Sequence, residues 1–206
     1  MSTTPHLVQV QTEAEQIALI ESLISVGTAM FRCSTVNDLL NLILSTSREI
    51  TWSDAGSIYL VDQSDGILKL LFEVSQNSSK PTLSLRSFAI PISSNSLAGY
   101  VASTGQSLNW PDVYDLPPDV PYKLDHSFDM DTSYRARSML VLPMQNSKQE
   151  TLGVIQLINR KRSPDAVITP ENVHELTQPY SLLEERIVRS LACQAAAAME
   201  LLTIRQ

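Results

Sequence analysis

The sequence predicts an α+β domain in which an antiparallel sheet is covered by helices on one face. Segments with strand character lie together in the middle of the chain, and long helical patterns lie at both ends. Runs of strands set apart from helices are typical of this class, since the helices then pack together on the sheet. With 206 residues and 43% hydrophobic composition, we expect residues 12–206 to form one domain behind a flexible N-terminus of residues 1–11.

The first helix is predicted over residues 12–31 and has apolar side chains on two sides. One face carries Ile17, Ile20, Ile24 and Gly27, and the other carries Leu19, Leu23, Val26 and Met30. A helix that is apolar on two sides must bury both, so we expect one face to pack on this domain and the other on a partner.

Two further long helices are predicted. The second begins at Ser34 or Thr35, either of which is a good N-cap, has Asp38 in its first turn and ends near Ile50. The last helix covers residues 181–206. Its apolar face consists of Ile187, Leu191, Ala195, Ala198 and Leu202.

Five segments have the apolar, β-branched composition of strands: residues 55–62, 67–74, 84–92, 138–144 and 151–159. "SDG" at 64–66 predicts a tight turn between the first two, and "QNSKQE" joins the last two. Pro143 cannot donate to a sheet ladder, so it belongs at a strand end or edge.

A short helix is predicted within residues 94–105, capped by Asn95 or Ser96 and closed by Gly105. A stretch rich in proline and aspartate follows at residues 110–138. At best this stretch is a long ordered loop, and loops of this length in compact domains are usually functional lids or disordered segments.

The net charge and the composition argue against several functions. A net charge of −7 argues against nucleic-acid binding. No apolar stretch of about 20 residues predicts a membrane span, and residues 1–10 lack a signal-peptide pattern. Cys33 and Cys193 form no metal or redox pair, so we expect reduced thiols in a cytoplasmic protein.

Catalytic groups are scarce. His126, beside Asp125, Asp129 and Asp131, forms the one cluster of metal-ligand type, but its spacing fits no zinc or calcium loop. No glycine-rich phosphate loop is present. We therefore expect a non-enzymatic domain without a metal, and a hydrolase built on His126 is the weakest alternative.

Four segments, "SIYLVD", "SLAGYVASTGQSLNWPDVY", "DTSYRARSMLVLPM" and "LGVIQLINRKR", occur in an order that resembles GAF domains, the sensor modules of phosphodiesterases, adenylyl cyclases, histidine kinases and phytochromes. The resemblance covers roughly residues 20–204. It implies a sheet of about six strands, with the terminal helices on one face and a short helix plus a long loop on the other. It also implies a regulatory sensor of small molecules that dimerises through its terminal helices.

The resemblance is stronger to the subgroup that binds cyclic nucleotides, which carries an Asn-Lys pair, a Phe and an Asp-Glu pair. The matching positions here are Asn159, Arg160, Tyr180, Glu184 and Glu185. In the family the Lys and Asp positions form a salt bridge beside the pocket, so Arg160 is expected to pair with Glu184. The alternative is that these two are unrelated surface charges.

The same resemblance implies a ligand site for a cyclic nucleotide, cAMP or cGMP, or a molecule of similar size. The implied contacts are Ser57, Phe72 and Glu73 on two strands, Ser96, Leu97, Ala98 and Gly99 at the short helix, and Thr132, Tyr134 and Ala136 in the long loop. Thr132 and Ala136 match two family threonines, and the loss of the hydroxyl at Ala136 weakens ribose or base recognition there. No Cys lies between residues 34 and 192, which excludes a covalently attached bilin.

The main alternative to a cyclic-nucleotide sensor is a dimerisation module with a degenerate, empty pocket, which could be part of a larger phosphohydrolase, cyclase or kinase. Within "GVIQLINRKR", we expect Val154–Ile158 to form a buried strand. We expect Arg160 to lie beside the pocket, and Lys161 and Arg162 to be solvated cations.

Overall fold

The computed structural model describes residues 13–82 and 89–204. The expected flexible N-terminus, the first five residues of the predicted strand 84–92 and the last two residues of the chain lie outside the described residues. Six helices and six strands follow one another in the described part. In order they are α1 (Glu13–Met30), α2 (Val36–Thr51), β1 (Ser53–Asp62), β2 (Lys69–Asn77), β3 (Ala89–Pro91), α3 (Leu97–Thr104), β4 (Leu108–Trp110), α4 (Ser127–Thr132), β5 (Met139–Gln145), β6 (Thr151–Arg160), α5 (Val173–Leu176) and α6 (Leu182–Ile204).

One antiparallel sheet of six strands, in the order β3-β2-β1-β6-β5-β4, forms the centre of the domain. Neighbouring residues of a strand point to opposite faces, so the sheet has two different cores. Ile58, Leu140 and Ile155 face α2 and α6, whereas Tyr59, Val141 and Val154 face α3 and the loop after β4. This confirms the predicted α+β fold, with the long helices on one face.

Local capping sets the ends of two helices as predicted. The Thr35 hydroxyl accepts from the Asp38 N–H at the start of α2, and the Ser96 hydroxyl accepts from the Gly99 N–H at the start of α3. Gly105 closes α3 with a left-handed φ of 69°. At the end of α2 the left-handed position is Trp52 instead, with a φ of 52° and a half-exposed ring.

The stretch 110–138 is more structured than expected. Its first residue, Trp110, completes β4, which pairs with β5, and residues 127–132 form α4. Both elements are too short to leave a periodic signal in the sequence. β4 pairs with only part of β5, at Met139–Val141, and stops short of Pro143. The proline is therefore tolerated within β5, because no β4 residue requires a hydrogen bond from it.

Helix α1 buries one of its two apolar faces. Leu23 and Val26 pack against the core and Met30 is buried, whereas Ile17, Ile20 and Ile24 are 50%, 55% and 65% exposed. The side chain of Leu19 lies outside the described residues. A Cβ on Gly27 would lie 2.8 Å from the Gln194 side-chain oxygen, so α1 runs close to α6 at this point.

Helix α6 is long and apolar enough to cross a membrane by length and composition alone. One face of α6 packs on the sheet, where Val188, Leu191 and Ala195 are fully buried, whereas Leu182, Leu183, Leu201 and Ile204 are exposed. The buried face of α6 belongs to the core of the domain.

Candidate functional site

A cavity of about 220 Å³ lies between the sheet, the start of α3 and the loop that covers them. Its apolar walls come from Tyr59, Phe72, Phe128, Met139 and Ile158. Tyr59 and Phe72 meet edge to face, with ring centroids 5.4 Å apart. Such a mixture of aromatic walls and few polar groups is typical of small-molecule sites, although this volume is just below the usual range of about 300–1,000 Å³.

The floor of the cavity is polar where β1 and β6 cross it. Ser57 and Gln156 are direct partners in the antiparallel ladder and both line the cavity. Ser57 lies on the cavity face because it alternates with Ile58, which belongs to the helical core. A hydroxyl and a neutral amide on the floor can each donate and accept a hydrogen bond.

The N-terminal end of α3 forms one end of the cavity. Ser96, Leu97 and Ala98 line it, and the first N–H groups of a helix have no intrahelical acceptor. Lys123 also lines the cavity, and its backbone N–H donates to Asn95 O, which holds it beside the helix start. The helix end carries a partial positive charge, and the charged side chains of the cavity lining are Lys123, Asp125 and Asp129.

We call residues 111–137, which cover the cavity, the lid. Asp129 of α4 fastens it: its Oδ2 accepts from the Ala136 N–H and from the Tyr114 hydroxyl, both at 2.8 Å. The Tyr114 ring contacts His126 edge to face, and the guanidinium of Arg135 lies 4.2 Å from its centroid. The lid is thus a self-supporting unit rather than a loose loop.

Burial perturbs two titrating groups of the lid. It raises the pKa of Asp129, although the Ala136 N–H and the Tyr114 hydroxyl act in the opposite direction. The pKa of Tyr114 rises to about 12 through burial, and then through its hydrogen bond to Asp129. Asp129 lines the cavity, so its charge acts on whatever the cavity contains.

The motif residues at the end of β6 adopt the geometry that the sequence predicts. Arg160 Nε lies 2.5 Å from Glu184 Oε1, and both side chains are largely buried. The alternative of two unrelated surface charges is therefore wrong. Tyr180 joins its hydroxyl to that of Ser53 at 2.8 Å, and Glu185 accepts from the Asn109 amide.

Lys161 overturns one expectation, because it is not a solvated cation. It is 4% exposed, its ammonium group donates to Pro164 O and Ala166 O, and it lies 3.8 Å from Asp54 Oδ1. Asp54 is fully buried and also accepts from the hydroxyls of Ser79 and Tyr134. Arg162 is exposed, as expected.

Six of the ten expected ligand contacts line the cavity: Ser57, Phe72, Ser96, Leu97, Ala98 and Ala136. The other four do not. Glu73 is exposed on the β2 surface, and Gly99 packs against the backbone of Ser93. Thr132 donates its hydroxyl to Phe128 O within α4, and Tyr134 faces the buried Asp54.

Sequence reasoning missed the other fifteen of the 21 lining residues, and among these are four that bring a charge, an amide or an aromatic ring to the lid and the floor: Lys123, Phe128, Asp129 and Gln156. Gln156 carried a usable signal, since it is a polar residue in the middle of an otherwise apolar strand. In the sequence, Asp129 stands out only as part of the possible metal cluster with His126. Within residues 13–82 and 89–204 no group of three or more His, Cys, Asp or Glu is placed to hold a metal ion.

Comparison with known proteins gives a family match. Residues 35–199 match the family model described as the GAF domain. Over 148 residues the chain is 28% identical to the dual 3',5'-cyclic-AMP and -GMP phosphodiesterase 11 of Drosophila melanogaster, which covers 69% of this chain but only 10% of that protein. The chain thus spans about a tenth of the length of this curated relative.

Three solved structures share the fold at low identity. The GAF domains of phosphoenolpyruvate-protein phosphotransferases from Acinetobacter and Coxiella burnetii each have a TM-score of 0.67, at 15% and 16% identity, and each match covers 92% of this chain and 96% of the other. Free methionine-R-sulfoxide reductase from Neisseria meningitidis, solved with its substrate, has a TM-score of 0.65 at 16% identity, covering 98% and 99%. Since one of these three is an enzyme, the fold by itself does not decide between sensing and catalysis.

Proposed function

This chain belongs to the GAF domain family, a family of regulatory sensor modules found in phosphodiesterases, kinases and other proteins, and on that premise we propose that its cavity binds a cyclic nucleotide, cAMP or cGMP, or an anionic ligand of similar size. The observation that carries the proposal is the cavity itself. It is partly covered by the lid, walled by Phe72 and Tyr59, and bounded at one end by the start of α3.

The chemistry of the cavity suits such a ligand. A purine can stack on Phe72 or meet its edge, and its polar edge can reach the Ser57 hydroxyl and the Gln156 amide. A cyclic phosphate carries one negative charge, which the start of α3 and Lys123 stabilise. The relative named for both cyclic AMP and cyclic GMP supports this ligand class over others of equal size.

The volume of about 220 Å³ sets a condition on the proposal. A ligand larger than this volume requires the lid to move outward before the ligand enters. The lid then closes over the bound ligand. Ligand binding therefore shifts an equilibrium between lid positions by the difference in affinity for the two states. That difference is the signal of a sensor.

Two further properties belong to the same proposal. The exposed face of α1, formed by Ile17, Ile20 and Ile24, packs against a second copy of the chain and gives a homodimer. The free thiols of Cys33 and Cys193 fit a reducing, cytoplasmic location. The dimer is also the basis of the second candidate function, a dimerisation module whose cavity stays empty.

Mass spectrometry of small molecules released from the purified chain tests the proposal without assuming the ligand. We expect a cyclic nucleotide, or an anionic heteroaromatic compound of similar size, in stoichiometric amount after mild purification. If the purified chain carries none, its thermal unfolding with millimolar cAMP or cGMP separates a sensor from an empty dimerisation module. An unchanged midpoint with both nucleotides supports the empty module.

A further inference from the structure

We propose that Asn159, Arg160 and Lys161 form a junction that couples the position of the lid to the first turn of α6. The three residues are consecutive, yet their side chains contact three different parts of the domain. The inference concerns the regulation of the same site and so rests on the proposed sensing role, but its test uses the ligand-free chain.

Asn159 holds the end of the lid by its side chain. Its Nδ2 donates to Arg135 O at 2.8 Å and to the Tyr134 hydroxyl at 3.0 Å, and its Oδ1 accepts from the Arg137 N–H at 2.7 Å. The side chain is fully buried, so without it Arg135 O and the Arg137 N–H would lose this partner, whereas the Tyr134 hydroxyl would keep its hydrogen bond to Asp54. The lid therefore ends in a clamp and not in a free loop.

The backbone of Asn159 has a φ of 58°, which is the left-handed region. Asn is the non-glycine residue that tolerates this conformation best. This left-handed backbone interrupts the alternation of side chains along β6. As a result, the side chain of the next residue, Arg160, points toward α6, and that of Lys161 points into the core. One backbone feature thus gives the three side chains their different directions.

Arg160 carries the connection to α6. Its N–H donates to the Ser138 hydroxyl at 3.0 Å, and its guanidinium pairs with Glu184. Glu184 Oε2 in turn accepts from the N–H and the hydroxyl of Ser181, both at 2.7 Å, and so organises the first turn of α6. Lys161 provides the third contact of the junction, because its ammonium group lies beside the buried Asp54.

The cavity reaches this junction directly. Ala136 lies between two residues that Asn159 holds, and it lines the cavity while donating its N–H to Asp129. A ligand that displaces Ala136 or Asp129 must therefore move the segment 134–137, which Asn159 grips. Because Asn159 and Arg160 are adjacent in the chain, a movement of Asn159 also moves Arg160 and, through the ion pair, Glu184.

Native-state hydrogen exchange on the ligand-free chain tests the coupling. Asn159→Gly keeps the left-handed backbone accessible and removes the clamp. We expect peptides covering residues 134–138 and also residues 181–188 to exchange about tenfold faster, with the β1–β2 pairing unchanged. The matched control is Gln149→Gly, since Gln149 has a φ of 64° in the exposed β5–β6 turn, and it should leave both regions unchanged.

Faster exchange at residues 134–138 alone, or in neither of the two regions, would overturn the proposed coupling. Glu184→Gln gives a second, independent result, because the amide can still accept from Ser181 while losing the ion pair. It should speed exchange at residues 134–138, although Glu184 makes no hydrogen bond to the lid. If Asn159→Gly speeds exchange everywhere alike, this second variant decides, and an unchanged lid in Glu184→Gln overturns the proposal.

Discussion

Arg160 Nε and Glu184 Oε1 lie 2.5 Å apart although 24 residues separate them in the chain, and this ion pair joins the last residue of β6 to the first turn of α6. The pair is largely but not fully buried, with side-chain exposures of 21% and 11%. Its contribution should therefore lie between that of an exposed pair, about 0–1 kcal/mol, and the cost of breaking a buried one, about 3–5 kcal/mol.

Arg160→Met should lower the free energy of unfolding by about 2 kcal/mol, because it leaves the Glu184 carboxylate without its partner in a poorly hydrated place. Urea denaturation measures the loss. Arg189→Met is the matched control: Arg189 pairs with Glu185 on the same helix, but its side chain is 46% exposed, so the cost should stay within about 0.5 kcal/mol. Equal losses in the two variants would contradict the structural role of Arg160.

Lys161→Glu should be far more damaging than its place in a run of cations suggests. It puts a second carboxylate beside the buried Asp54 and removes the donor to Pro164 O and Ala166 O, so we expect a loss of about 3–5 kcal/mol or failure to fold. Arg162→Glu, the next position, is exposed and should cost less than about 1 kcal/mol. Urea denaturation measures the stability of both variants. Similar unfolding midpoints would show that the Lys161 side chain is solvated.

Asp129 should make the stability of the domain depend on pH. Burial raises its pKa in the folded chain, so the folded state holds the proton longer than the unfolded state. Its contribution is then fully present below the ordinary Asp pKa of about 4 and is lost as the pH rises through the folded-state pKa.

Asp129→Asn can still accept from Tyr114 and Ala136 and carries no charge, so its stability relative to wild type should increase between about pH 4 and pH 7. Denaturant titrations at several pH values measure the difference. Asp131→Asn changes an exposed carboxyl of the same helix and should stay within about 0.5 kcal/mol of wild type throughout. A difference for Asp129→Asn that does not change with pH would show that this carboxyl titrates alike in both states.

Ile24→Lys should dissociate the proposed homodimer, since Ile24 is 65% exposed, the most exposed of the three isoleucines on the apolar face of α1. Burying a lysine ammonium in an apolar interface is costly. Sedimentation velocity measures the fraction of dimer. Val167→Lys changes a side chain of similar exposure, 61%, away from α1, and its sedimentation should match wild type. A wild-type chain that sediments as a monomer at high concentration would rule out the dimer.

Local interactions explain what the sequence predicts correctly. The caps of α2 and α3 depend on Thr35, Ser96 and Gly105, whose hydrogen bonds reach no further than a few residues along the chain. The two hairpins likewise follow from alternating strands and short turns. The fold class could be predicted because these local patterns agree with one another.

Long-range contacts explain what the sequence does not predict. β4 exists only because Leu108–Trp110 find Met139–Val141, and three residues leave no periodic pattern. Lys161 is buried because Asp54, more than a hundred residues earlier, lies beside it. The direction of Tyr134 is set by Asp54, which lies 80 residues earlier in the chain.

The most direct test of the account is isothermal titration calorimetry of the chain with cAMP and with cGMP, up to millimolar concentration. We expect saturable heat with at least one of them. At a hundredfold excess over Kd, a ligand should also stabilise the fold by about 2.7 kcal/mol, which raises Tm by about 5–11 °C in a domain of this size. Ala136→Met, which fills the cavity, should abolish both signals, whereas Ala197→Met on the exposed side of α6 should abolish neither. No heat and no shift in Tm with either nucleotide would contradict the proposal that this cavity is a cyclic-nucleotide site.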